Sequence, residues 1–365
     1  MKTVLLVFGT RPEAIKMCPL VKELQQRRDV RTVVCVTAQH RQMLDVVLRA
    51  FDVTPDYDLN IMRDRQTLAG ITTSILSALD GVLEAVRPDV VLVHGDTSTT
   101  FAAGLACFYR QIPVGHVEAG LRTWNMQSPF PEEFNRQAVD LFARYLFAPT
   151  RWAADNLLRE GKDPERVFIT GNTEIDALKT TVRADYRHEL LDWAADSRLV
   201  TVEVHRRENL GAPMAGMFAA MRRVVEETPD VKLIFPVHLN PLVQEAAHTA
   251  LDGCQRIRLT DPMDVLDFHN FLARSYLIVT DSGGIQEDAA GLGRPVLVLR
   301  DTTERPEGVE AGCIRLVGNT GEATEREFRR LLQDEEAYRA MQNAPNPYGD
   351  GTASRQIADI LLKNE

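Results

Sequence analysis

A chain of 365 residues exceeds one ordinary compact core and fits two domains of average size, each large enough to bury a real interior. Hydrophobic residues at 44%, charged residues at 26% and a formal net charge of -10 describe a well-solvated globular protein that repels polyanions, so nucleic acid is not an expected partner. Cys18, Cys35, Cys107, Cys254 and Cys313 are odd in number and widely spaced, with no Cys-x-x-Cys pair, which argues against a disulfide framework or zinc ribbon, and they read as reduced core residues. The opening MKTVLLVFGTRPE is apolar only as far as Gly9, too short a run for a signal peptide, and no other run approaches membrane-spanning length. The expected setting is the cytoplasm, without a membrane partner.

Along the chain, short β-branched runs alternate with longer amphipathic or Ala/Leu-rich segments. The first set is TVLLVF (3–8), TVVCVT (32–37), VVLVH (90–94), PVGHVE (113–118), YLFA (145–148) and VFIT (167–170). Each is almost wholly apolar, as expected of parallel strands buried on both faces. A charged, strand-poor passage, RADYRHELLDWAADSR, follows, and then the pattern restarts with LVTVEV (199–204), KLIFPV (232–237), RIRL (256–259), YLIVT (276–280), PVLVL (295–299) and IRLV (314–317). The fold class is therefore α/β: two doubly wound Rossmann-like domains with a cleft between them, joined near residues 172–195. The expected limits are 1–175 and 176–365. A terminal helix carries Ile357, Ile360 and Leu361, and its pattern leaves open whether it packs back on the first domain.

Doubly wound sheets bind ligands beyond the carboxyl ends of their strands, so the strand-end loops carry the search. In FGTRPEAIKM, Gly9 permits a tight turn, Pro12 suits a first helical turn, and Arg11 and Lys16 place positive charge near a helix start, where an anion is the natural partner. The loop is not G-x-G-x-x-G, which counts against a dinucleotide dehydrogenase. Asp96 in HGDTSTT and Glu118 in GHVEAGLRT end successive strands, and Glu132 and Arg136 in PEEFNR lie one helical turn apart. Taken singly, Asp96 reads as a cap for a helix starting at Thr97, and Glu132 with Arg136 as a solvated ion pair. Three acids along one sheet edge are better suited to acid and base roles.

The second half supplies anion ligands. His205, Arg206 and Arg207 follow one strand and His238 the next, with no metal-site spacing, and an imidazole beside guanidiniums makes a cradle for a diphosphate. In TDSGGIQEDAAGLGRPVLVLRDTTERPE, Ser282, Gly283 and Gly284 open a helix whose N–H groups and dipole face an anion; Glu287 and Asp288 lie one turn in, suited to a ribose diol, and Arg305 comes from the next strand-end loop. A nucleotide-sugar held between the domains, its sugar facing the acids, is the economical reading.

FGTRPEAIKM, HGDTSTT, GHVEAGLRT, PEEFNR, HRREN, PVHLNP, TDSGGIQED and RDTTERPE resemble, in this order over essentially the whole chain, the non-hydrolysing UDP-N-acetylglucosamine 2-epimerases of bacterial type. The resemblance implies a GT-B-like fold, often dimeric, which interconverts UDP-N-acetylglucosamine and UDP-N-acetylmannosamine without NAD or metal for surface polysaccharide precursors. UDP is eliminated to give 2-acetamidoglucal and then added back. It implies Asp96, Glu118 and Glu132 as acid/base groups and His205 as an essential histidine. Arg11, Lys16, Arg136, Phe268, Ser282, Gly283, Gly284, Asp288 and Arg305 are the implied substrate ligands. It further implies an allosteric UDP-N-acetylglucosamine held by Gln39, Gln42, Arg65, Glu132, Arg206 and His238. Three positions depart from the family pattern: Asp288 stands where Glu is usual, Glu174 where a small or apolar residue is, and Glu203 where Thr is. An acid at a buried strand end needs a partner.

Overall fold

The computed structural model describes residues 1–38, 41–63 and 66–363, with the side chains of Arg41 and Gln42 also outside the description. The first sheet contains β1 (Lys2–Phe8), β2 (Val30–Val36), β3 (Tyr57–Asp58), β4 (Val90–His94), β5 (Val114–Val117), β6 (Tyr145–Ala148) and β7 (Val167–Ile169). Its order is β3-β2-β1-β4-β5-β6-β7. The second contains β8 (Arg198–Glu203), β9 (Val231–Pro236), β10 (Ile257–Thr260), β11 (Leu277–Thr280), β12 (Val296–Val298) and β13 (Ile314–Leu316), in the order β10-β9-β8-β11-β12-β13. All pairings are parallel. This architecture of two Rossmann-like domains matches the expected fold class. The twelve anticipated runs are all strands to within two residues at each end. The two-residue β3 is the addition.

The chain divides into two compact units, Met1–Thr180 with Tyr348–Glu365, and Thr181–Pro347. The division falls five residues beyond the expected limit because the helix Thr173–Thr181 runs through it. The terminal helix Ala353–Lys363 belongs to the first unit. Asp176 accepts the backbone N–H groups of Ala353 and Ser354 at 3.1 and 2.8 Å, Lys2 Nζ donates to the Leu361 carbonyl at 2.6 Å, and Arg27 pairs with Asp359 at 2.8 Å. Ile357 and Leu361 are fully buried, a contribution of roughly 1.5–3 kcal/mol each.

One helix of the first unit, Leu68–Val86, is long and apolar enough to cross a membrane, contrary to the expectation that no run approaches that length. Its apolar residues recur at helical spacing, so that Ile71, Ile75, Leu79, Val82, Leu83 and Val86 are buried while Thr73, Ser77, Asp80 and Glu84 are exposed. That is the pattern of a helix lying on a sheet.

Candidate active site

In each sheet the chain reverses its winding between the first and fourth strands in sequence, so a crevice opens beyond the carboxyl ends of β1 and β4 in the first unit and of β8 and β11 in the second. The residues singled out by sequence flank these two points.

At the end of β1, Gly9 is needed for close approach rather than for a special backbone angle: a Cβ there meets Thr37 Oγ1 at 1.9 Å and Thr99 Oγ1 at 2.7 Å. Thr10 caps the helix Arg11–Gln25, with Arg11 and Pro12 in its first turn. An acid of the chain itself sits at this turn. Buried Glu13 accepts the N–H groups of Gly9 and Thr10 at 3.0 and 2.8 Å and the hydroxyls of Thr97 and Thr100 at 2.7 and 3.2 Å. Burial pushes its carboxyl up, against these hydrogen bonds. Arg11 is exposed, whereas Lys16, one turn on, is buried and donates to Glu118.

Asp96 is not the helix cap it could have been. Thr97 takes that role, accepting from Thr100 N at 3.2 Å, and the Asp96 carboxylate accepts from Arg136. Arg136 therefore does not form the expected pair with Glu132; its second partner is Glu133, at 3.4 Å. Glu133 is buried and holds the 123–124 turn, accepting from Thr123 N and Trp124 N at 3.0 Å each and from Gln137 Nε2 at 2.7 Å. Burial works to raise the Glu133 carboxyl, and these bonds with Arg136 outweigh it. Glu132 is half-buried at the start of the same helix, Glu132–Phe142.

Glu118 sits at φ 68°, a left-handed conformation uncommon for a side-chain-bearing residue and found most often where a site demands it. Its carboxylate faces Lys16 and lies 3.7 Å from His94 Nε2. Burial pushes the His94 imidazole down to about 4, so it is a neutral neighbour at physiological pH. Behind these acids lies a clamp that the sequence did not disclose. His116 Nε2 is 2.7 Å from the Gly95 carbonyl and Nδ1 2.6 Å from Asp140, while the other Asp140 oxygen accepts from Arg122 at 2.8 Å and from Gly120 N at 3.3 Å. The carbonyl only accepts, so Nε2 donates. Burial works to raise the Asp140 carboxyl, but His116 and Arg122 outweigh it and hold it below the usual carboxylate range. One buried, charged network thus fixes Gly95, before Asp96, and Gly120, just after Glu118.

In the second unit, Asp281 ends β11 fully buried and braces the β8 loop by accepting from His205 N, Arg206 N and Asn209 Nδ2 at 3.0, 2.9 and 2.8 Å. His205 Nδ1 donates to Glu203, the departure that lacked a partner in sequence. With these oxygens committed, the trio is a hydrogen-bonded unit rather than an open cation site. His238 is exposed and its ring stacks on His205, centroids 5.1 Å apart. Arg207 is exposed on the short turn Arg207–Asn209 and does not enter the cradle. Its place is taken by Arg300 and Arg305.

Those two guanidiniums and Arg206 converge on Glu304, at 2.7, 3.0 and 3.4 Å. Burial works to raise this carboxyl, and Arg305, Arg300 and Arg206 hold it down at about 2. Arg305 also donates to buried Glu287 at 2.8 Å, so Glu287 orients the arginine. Ser282 caps the helix Gly283–Gly291. A Cβ on Gly283 would meet Glu304 Oε1 at 2.7 Å and Arg305 at 2.9 Å, whereas one on Gly284 meets nothing within 4 Å. The helix start is thus approached by the basic cluster on one side and open at Gly284. Asp288 is buried one turn in, 3.9 Å from His269 Nε2, whose imidazole burial pushes down to about 4. Phe268 is half-buried on the adjoining helix Val265–Arg274.

Gln39 and Arg65, and the side chain of Gln42, lie outside the described residues. Glu132 belongs to the first unit, and Arg206 and His238 to the second. Glu174 is buried in the first turn of the helix Thr173–Thr181. His116, Asp140, Asp281 and Glu304 were not anticipated: each is unremarkable in its own stretch and acquires partners only through the fold.

A family model for UDP-N-acetylglucosamine 2-epimerase matches residues 22–362. The UDP-N-acetylglucosamine 2-epimerase of Bacillus subtilis is 58% identical over 359 residues, covering 98% of this chain and 94% of that one. The crystal structure of the Neisseria meningitidis UDP-GlcNAc 2-epimerase bound to UDP-GlcNAc superposes with a TM-score of 0.90 at 46% identity, covering 99% of this chain and 100% of that one. The Methanocaldococcus jannaschii enzyme in complex with UDP-GlcNAc and UDP gives 0.81 at 32%, with the same coverage. From the matched strand-end residues to full-length similarity, the chain belongs to the UDP-N-acetylglucosamine 2-epimerase family.

Proposed function

We propose that this protein is a non-hydrolysing epimerase that interconverts UDP-N-acetylglucosamine and UDP-N-acetylmannosamine, eliminating UDP across C1 and C2 to form 2-acetamidoglucal and adding it back after reprotonation on the opposite face. The observation that carries this reading is the placement of Asp96 and Glu118 at adjacent strand ends, each paired with a cation and both set by one buried clamp. The C2 proton is not acidified by a neighbouring carbonyl, so its removal is coupled to departure of UDP, and positioned carboxylates are the groups that such a step needs. Asp96, Glu118 and Glu132 serve as acid and base. Arg11, Lys16 and Arg136 bind on their side of the substrate. In the second unit, His205, Arg305 and the N–H groups at Ser282–Gly284 neutralise the diphosphate as it leaves, Asp288 takes the ribose, and Phe268 lines the nucleotide.

The product supplies precursors of bacterial surface polysaccharide. The working form is a homodimer, a reading supported by exposed Phe108, Tyr109 and Leu141 on neighbouring helices of the first unit. A second UDP-N-acetylglucosamine, at Gln39, Gln42, Arg65, Glu132, Arg206 and His238, activates the enzyme, so UDP-N-acetylmannosamine alone turns over with a lag that a trace of the gluco substrate abolishes.

Proton NMR with UDP-N-acetylglucosamine in D2O, without added NAD or metal, tests the reaction. Manno-configured anomeric signals rising to a steady ratio, with deuterium entering at C2, are expected. Free N-acetylmannosamine accumulating with UDP makes the enzyme a hydrolysing one, and an unchanged spectrum points to a GT-B-type UDP-sugar glycosyltransferase that lacks its acceptor.

A further inference from the structure

Glu203 and His205 are two residues apart on an extended segment, so their side chains share a face. There Glu203 Oε1 accepts from His205 Nδ1, while Oε2 accepts from Thr280 Oγ1 at 3.3 Å. Thr280 is the register partner of Glu203 on β11, so the carboxylate is braced by the neighbouring strand. The side chains of Glu203 and His205 are 19% and 33% exposed, which dries the pair on one side and leaves the ring reachable. With Nδ1 committed, Nε2 is the ring nitrogen that remains for a ligand.

We propose that Glu203 is a positioning residue: its carboxylate fixes the His205 ring through Nδ1, so that the Nε2 edge is presented to the diphosphate of a bound nucleotide. The charges around the ring support this. The Glu203 hydrogen bond raises the proton affinity of His205 and burial opposes it; Asp281, with Oδ1 3.8 Å from Nδ1, adds to the rise, and Arg206 subtracts from it. His238 stacks on the ring face. A threonine at position 203 would offer a hydroxyl and no charge, so a glutamate there acts on the electrostatics of the histidine. The sign follows from the raised affinity. The cationic ring is present at low pH and is lost as pH rises through its folded value, and removing Glu203 moves that loss to lower pH.

This proposal rests on the reading that the second unit holds a nucleotide diphosphate, and the test separates the two. The His205 ring signal is followed by NMR against pH in full-length protein with labelled histidine, in the wild type and in Glu203→Gln and Glu203→Thr. UDP affinity is measured by calorimetry across the same range. Both variants are expected to titrate His205 at lower pH than the wild type. Where only the wild type remains protonated, they should bind UDP roughly tenfold more weakly, converging with it at acid pH. Kcat/KM should follow the same profile, which a loss of fold would not produce. Superimposable His205 titrations overturn the proposal. A moved titration with an unmoved UDP profile overturns its diphosphate half. If the wild type binds no UDP at any pH, the nucleotide reading falls, and the histidine titration still decides whether Glu203 acts on the ring.

Discussion

At the start of the first unit's helix Arg11–Gln25, the N–H groups of Gly9 and Thr10 are spent on an acid of the first turn, Glu13, and the groups facing the crevice are Asp96 and Glu118, each tied to a cation. At the start of the second unit's helix Gly283–Gly291, glycines occupy the first turn and the nearest side chains are Glu304 and Arg305, with Arg206 and Arg300 gathered on the same acid. The same winding order produces both edges, so topology decides where a site lies and strand-end residues decide its sign. In the proposed reaction the first unit supplies carboxylates that exchange protons with the sugar, and the second supplies positive charge for the leaving diphosphate.

The largest expected effect breaks the first unit alone. Glu118→Gln keeps the size and the contact with Lys16 but removes the proton acceptor, so kcat should fall by roughly 10² to 10⁴ while UDP affinity, measured by calorimetry, stays where it was. An equal loss of UDP affinity would mean that the two edges are not divided in this way. Next in size is the clamp behind the acids. Asp140→Ala leaves the Arg122 guanidinium and the His116 ring in a dry interior without their shared partner, a loss of about 3–5 kcal/mol by the usual cost of orphaning one member of a buried pair. In urea, with intrinsic fluorescence and circular dichroism followed together, the first unit should unfold earlier and the second unchanged. A single shifted transition for the whole chain would show the units to be one cooperative block.

The contrast between the units was only partly legible in sequence. Twelve strands were readable because a parallel strand covered on both faces is a continuous apolar run; β3 was not, since the two-residue pairing of Tyr57 and Asp58 at a sheet edge leaves no run at all. Strand-end loops could be searched because the fold class fixes where ligands sit. Partners within them could not. Arg136 is four residues from Glu132 and three from Glu133, so helical spacing admits both, and the choice is made by Asp96, forty positions away. His116 inside an apolar strand and Asp140 in the last turn of a helix look like ordinary residues until the fold brings them together. Glu203 was noticed as an oddity, yet its meaning depended on Thr280 of another strand.

The second unit is sharpened by Asp288→Ala. If this acid holds the ribose, KM for the nucleotide-sugar should rise about tenfold, the worth of one charge-assisted hydrogen bond, with kcat little changed. A collapse in kcat at constant KM would assign Asp288 to the chemistry and weaken the division between the units.

The smallest effect is the most selective. A Cβ on Gly284 has open space around it, so Gly284→Ala strains nothing in the free protein and, by stiffening the first turn of a helix, should leave stability unchanged or raise it by roughly 0.5–1 kcal/mol. The same methyl occupies the approach to the N–H groups on which the diphosphate is proposed to rest. Calorimetry should therefore register weaker UDP binding in a protein that melts no lower than the wild type, with turnover at saturating substrate less affected than affinity. Gly283→Ala is the control, because its methyl meets Glu304 and Arg305 and disturbs the arginine cluster before any ligand arrives. If Gly284→Ala binds UDP as well as the wild type does, the anion is not seated on this helix start, and the positive edge of the second unit works through its arginines alone.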